Sequence, residues 1–168
     1  MPVRFLKQEN EVNSRSFPFN FETRKKMLES VFGNSITVSL NYSFQAPFKK
    51  YFPPLISPKS WSLRKQILQG IESDYFTYTG DKAEGLMLKL YRLNPKIGVR
   101  KSVSATDVKN KMYEVAKGNE SEWEKYMPEG IVQIINENWE TVRKFASTED
   151  MTKRIAGMKF PKEGYDSK

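Results

Sequence analysis

The chain has 168 residues, of which 38% are hydrophobic and 13% aromatic, enough to bury a real core. Lys and Arg number 28 against 20 Asp and Glu, and the resulting charge of +8 favours an anionic partner such as a nucleotide, a nucleic acid or an acidic protein. There is no histidine and no cysteine, which excludes imidazole acid–base chemistry, thiol chemistry, disulfides and the usual structural zinc sites within this chain. No apolar run approaches a membrane-crossing length, and the opening MPVRFLKQEN lacks a secretory apolar core, so a cytosolic protein with no membrane partner is expected.

In chain order, Pro2 to Lys7 reads as a short strand and residues 8–16 as a loop. Phe17-Pro18-Phe19-Asn20 leads into a helix capped by Asn20, with Met27, Leu28, Val31 and Phe32 at helical spacing and Gly33-Asn34 as the stop. Ser35 to Phe44 alternates Ile36, Val38, Leu40, Tyr42 and Phe44, the pattern of a half-buried strand. Residues 45–60 hold four prolines and three aromatics and predict a long loop. Its rings, with Phe44, Phe48, Tyr51 and Phe52 beside Lys49 and Lys50, have two readings. They offer stacking platforms to a nucleic acid, or they pack onto the core, which the interleaved prolines favour. Trp61 to Gly70 predicts a helix capped by Ser60, and Asp74 to Thr79 a strand broken at Gly80-Asp81. Lys82 to Leu93 predicts a helix and Ile97 to Val103 a strand. Ser104-Ala105-Thr106 opens the next helix, whose apolar stripe is Val108, Met112 and Val115. A turn at Trp123 to Pro128 precedes an amphipathic helix from Ile131 to Phe145. The tail, 147–168, is polar, with a weak helix expected over 148–157.

Strands alternating with helices predict an α/β fold with a parallel sheet and flanking helices. In such folds ligands sit beyond the carboxyl ends of the strands. Thr79-Gly80-Asp81 and Ser104-Ala105-Thr106 have that placement. The second is a strand-to-helix turn whose free amide groups suit an anion, with Lys101 before it and Lys109 one turn inside the helix. An ordinary capped helix start explains the same residues.

Four segments together resemble the nucleotidyltransferases of the nicotinamide-mononucleotide adenylyltransferase type, over residues 3–145. Phe17-Pro18-Phe19-Asn20 with Arg24 is similar to the family's Asn-Pro-Phe-Thr segment. Trp61 sits like a family Trp that stacks on the nicotinamide ring. Thr79-Gly80-Asp81 resembles the turn after the fourth strand. Val103-Ser104-Ala105-Thr106-Asp107-Val108-Lys109 resembles the Ile-Ser-x-Thr-x-x-Arg motif that holds the ATP phosphates, with Lys109 in place of the Arg. The resemblance implies a Rossmann-like domain over 1–146, with C-terminal helices. It also implies ATP, nicotinamide mononucleotide (NMN) or NAD as the bound ligand, with Ser104, Ala105, Thr106, Lys109, Gly80 and Asp81 on the nucleotide and Trp61 as the stacking ring. The family's first strand, Gly-rich loop and His-x-Gly-His pair have no counterpart here. The expectation is therefore a binding relative that has lost the reaction, with a rearranged sheet, a second copy or a partner protein making up for the missing central strand. Two alternatives stand beside it: an adenylyltransferase working through Lys101 and Lys109, and a basic nucleic-acid-binding protein.

Overall fold

The computed structural model describes residues 3–40, 42–54, 56–99, 102–155 and 158–166. In chain order the elements are β1 (Phe5–Lys7), β2 (Asn10–Glu11), α1 (Phe21–Phe32), β3 (Phe44–Gln45), α2 (Pro58–Ile67), β4 (Thr77–Thr79), α3 (Lys82–Leu90), β5 (Pro95–Ile97), α4 (Ala105–Ala116), α5 (Glu129–Glu137), α6 (Trp139–Ala146), β6 (Thr152–Ile155) and β7 (Met158–Pro161). The architecture is mixed α/β with small sheets. The chain divides into two interleaved compact units.

The first unit, Asn13–Ser39 with Ser102–Met151, is helical. Local chemistry sets its helix starts. Asn20 accepts a hydrogen bond from the Thr23 amide and opens α1, while Ser104 does the same for α4 through the Asp107 amide. The helix expected over 131–145 is two helices, because the backbone breaks at Asn138, whose side chain donates to the Ile134 carbonyl. Val108, Met112, Tyr113, Trp123, Ile135, Val142 and Ala146 close the core with Phe19. The loop ahead of α1 is tied down by charge-assisted bonds. Arg15 donates to the carbonyls of Phe145, Ala146 and Thr148, satisfying the end of α6, and its guanidinium lies 4.5 Å from the Tyr113 ring centre.

The second unit, Val3–Val12 with Leu40–Lys101 and Thr152–Lys168, holds all seven strands found among the described residues. They form three separate sheets. β1 pairs antiparallel with β2 and parallel with β3; β4 pairs parallel with β5; β6 pairs antiparallel with β7. The single central parallel sheet expected from the sequence is thus corrected. Parallel pairing is present, but it is divided between two sheets. The strand expected over 35–44 contributes only its end, since Ile36 and Leu40 are exposed and find no neighbouring strand to pair with. Asn41 lies outside the described residues.

The aromatic loop packs inward. Phe48 and Tyr51 are buried, and with Phe5, Phe44 and Phe160 they make a cluster of edge-on and offset rings 4.9–5.7 Å apart. The nucleic-acid reading of Phe44, Phe48 and Tyr51 is overturned, because rings that hold the core together are not available to bases. The tail is corrected as well. Instead of a weak helix over 148–157, the chain forms the β6–β7 hairpin, and Phe160 is 1% exposed among Phe5, Phe44 and Phe52. Apolar burial of one phenylalanine outweighs the polar composition around it. Phe160→Leu is expected to lower the stability of this unit by about 1 kcal/mol in urea denaturation, whereas a loose tail would leave it unchanged.

Tyr91 is also buried in this unit, where its hydroxyl donates to the Tyr51 carbonyl. Burial first, and the neighbouring Tyr51 second, push its pKa up to about 12. A raised phenol pKa favours the protonated form in the folded state. Its contribution is therefore complete below pH 10 and is lost as pH rises towards 12. Alkaline denaturation of the wild type should be steeper in that window than that of Tyr91→Phe. Among the described residues no helix is long and apolar enough to cross a membrane.

Candidate functional site

β4, α3 and β5 form one βαβ unit within the mixed unit. Thr79 ends β4, Gly80 and Asp81 turn the chain, and the Asp81 carboxylate caps α3 by accepting from the amides of Ala83 and Glu84. Thr79 is buried and donates to the Glu84 carboxylate. Gly85 lets α3 lie close on β5, because a Cβ there would stand 2.7 Å from Ile97 Cδ1. One sheet face, carrying Thr79 and Ile97, is covered by α3 in this way.

The opposite face is open. Side chains alternate along a strand, so Phe76 and Tyr78 share it, and Lys96, paired with Tyr78 in register, shares it too. Phe76 is 53% exposed and Tyr78 69%. The Lys96 ammonium sits 3.9 Å from the Phe76 ring centre. The Tyr78 ring lies across Gly98, where a Cβ would meet its hydroxyl oxygen at 1.8 Å, so only glycine permits this flat arrangement. A third ring, Trp61 on α2, is 37% exposed and lies 5.9 and 6.0 Å from the guanidinium groups of Arg64 and Arg92.

Charge is unevenly distributed. The mixed unit carries eighteen Lys and Arg against eight Asp and Glu, a formal +10, while the helical unit carries ten against twelve, a formal −2. Within the βαβ unit both acids are turned to local work, Asp81 as the cap and Glu84 as the acceptor for Thr79. Lys82, Lys89, Arg92 and Lys96 make no ion pair with any described residue. The nearby cleft at the carboxyl ends of β4 and β5 measures about 570 Å³ and is bordered by Gly80, Asp81, Lys82 and Gly98.

The residues singled out from the sequence fall in both units. Trp61, Gly80 and Asp81 belong to the mixed unit, and Ser104, Ala105, Thr106 and Lys109 to the helical one. At the start of α4 the anion-binding option is met by an internal partner. The Ser104 hydroxyl accepts from the Asp107 amide at 3.1 Å and donates to the Asp107 carboxylate at 2.6 Å, which puts a negative charge where a phosphate would approach. Ala105 and Thr106 are the exposed first residues of the helix. Lys109 donates to the Ser16 carbonyl and so helps fasten the loop ahead of α1. Lys101 lies outside the described residues. Among the described residues no three metal-ligating side chains converge.

Sequence reasoning missed Phe76, Tyr78 and Lys96. Of the run Asp74 to Thr79, expected as a strand, Thr77–Thr79 form β4, but which of the run's rings face solvent depends on where α3 packs. The unpaired cations had a signal in the sequence, the excess of Lys and Arg between 49 and 101. Compared with protein-family profiles, with curated proteins and with solved structures, the chain finds no match.

Proposed function

We propose that this is a binding protein whose mixed unit takes single-stranded nucleic acid, with bases stacked on Phe76 and Tyr78 and phosphates paired with Lys96 beside them and with other basic side chains of that unit. The observation that carries the reading is the open sheet face, where two exposed rings lie a strand step apart beside Lys96. Base stacking on an aromatic ring contributes about 1–3 kcal/mol and tolerates any base. Phosphates supply the complementary charge for a unit of net +10.

The test is fluorescence anisotropy with a labelled oligo-dT of about twelve nucleotides, a length within the range one small domain covers. Binding should weaken steeply with salt, with a log–log slope of about −2 to −3, the value for three or four neutralised phosphates on a single strand. Absence of binding at low salt, or binding that ignores salt, would sink the proposal.

A second reading keeps the nucleotidyltransferase resemblance. The protein would then be a relative with a Rossmann-like strand end that takes ATP, NMN or NAD without turning it over. The cleft beside Gly80, Asp81 and Lys82 favours it. The Asp81 carboxylate on the α3 amides and the Ser104–Asp107 pairing on α4 both weigh against a phosphate at those turns. The bond from Lys109 to Ser16 weighs against catalysis by that lysine. A thermal shift with ATP, NMN or NAD that exceeds the shift with inorganic phosphate would favour this reading over the first.

A further inference from the structure

The outer edge of β5 carries a second and different surface. The Thr77 amide donates to the Asn94 carbonyl and the Gly98 amide to the Thr79 carbonyl, so residues 94, 96 and 98 turn their backbone towards β4. By the same alternation the amide and carbonyl of Ile97, and the amide of Val99, point the other way. No backbone partner for them exists among the described residues. Ile97 is 53% exposed and Val99 91%. An open strand edge of this kind is a template for another strand.

Beside this edge runs a groove of about 690 Å³ between α3 and β5. Gly85, Leu86 and Ile97 supply an apolar floor, and Lys82, Lys89 and Arg92 supply the rim. No acid lines it. At Gly85 the Ile97 side chain packs directly on the α3 backbone, so the floor there is the exposed flank of Ile97. An added strand places alternate side chains into the groove and the others along its rim.

We propose that the β5 edge and the α3 groove together bind an extended acidic peptide segment of a partner protein, which adds as a strand beside β5. Its apolar side chains rest on Leu86 and Ile97, and its carboxylates face Lys82, Lys89 and Arg92. Charge selects this occupant. A second copy pairing through the same edge would set these three cations against their own counterparts, a like-charge arrangement that opposes association. A polynucleotide matches the rim charge but has no alternating amides and carbonyls with which to extend the ladder. The inference does not rest on the nucleic-acid reading, because the groove lies on the α3 side of the sheet and Phe76 and Tyr78 lie on the other.

The test uses the full chain and a short fluorescein-labelled peptide of alternating glutamate and valine, capped at both ends. The wild type should bind it, and the same peptide N-methylated at alternate residues, with unchanged charge but blocked ladder donors, should bind about fivefold to tenfold more weakly. Ile97→Pro removes the outward amide without changing charge or the bonds to β4 and should weaken binding by about the same factor. Lys89→Glu should weaken it about tenfold at low salt. Equal affinity for the methylated and unmethylated peptides, or no binding of either, overturns the proposal, and this arm holds even where Ile97→Pro fails to fold. Displacement of the peptide by oligo-dT that persists in the Phe76→Ala/Tyr78→Ala variant would assign the groove to nucleic acid and overturn it too.

Discussion

Replacing Phe76 and Tyr78 together by Ala is expected to weaken oligo-dT binding by about 2 kcal/mol or more, roughly thirtyfold, since each ring offers about 1–3 kcal/mol of stacking. Both rings project from an open face, so their removal should leave helix content and denaturation midpoint nearly unchanged. Tyr78→Phe should bind like the wild type, because a base stacks on the ring and not on the hydroxyl. Lys96→Ala separates charge from stacking. The ammonium over Phe76 neutralises one phosphate at most, so the salt slope should become shallower by about 0.7 while affinity at high salt changes little. An unchanged affinity in the double variant, measured at the same salt, would refute the assignment of this face.

Trp123→Ala is expected to cost the helical unit about 3–5 kcal/mol, the range for deleting a fully buried large aromatic side chain. Trp123 is 0% exposed and stacks on Trp139 with ring centres 6.0 Å apart and 22° between planes. It touches the elements that close the core, so the gap cannot be filled from solvent. The indole N–H, however, has no hydrogen-bond partner among the described residues. A buried donor left unpaired costs about 1–3 kcal/mol. Trp123→Phe removes that donor and keeps a ring, so its net cost should fall to about 1 kcal/mol or less. Urea denaturation followed by far-ultraviolet circular dichroism reports on both variants. A loss for Phe as large as that for Ala would show that the indole N–H is satisfied and that its bond, rather than ring volume, holds this part of the core. The two units need not unfold together, so each variant should be fitted with a transition of its own.

Several features were legible in the residues alone because their causes are local. Asn20, Asp81 and Ser104 each place an oxygen within reach of amides two or three residues on, and each opens a helix. Ser57 replaces Ser60 as the cap of α2, since Pro58 fits the first helical position. The Thr79-Gly80-Asp81 turn after a strand was equally visible. Other features depend on what lies across the fold. The alternation from Ile36 to Phe44 is a strand pattern, yet only Phe44 and Gln45 meet a neighbour to pair with. Phe160 sits in a tail of charged residues and still enters the core, because the aromatic cluster around Phe5 and Phe44 has a place for it.

The sequence by itself determined the basic charge, the absence of histidine and cysteine chemistry, the starts of α1, α3 and α4 and the strand-to-helix turn at Gly80-Asp81. Each of these follows from composition or from residues within one turn of each other. Only the tertiary structure decided which aromatics are core and which are surface, and which strand edge stays open. Phe48 and Tyr78 lie in similar aromatic, polar-flanked stretches. One is fully buried against the ring of Phe5, from a distant part of the chain, and the other is left on the face that α3 does not cover. Long-range packing makes that choice, and the surface proposed to bind is what the packing leaves uncovered.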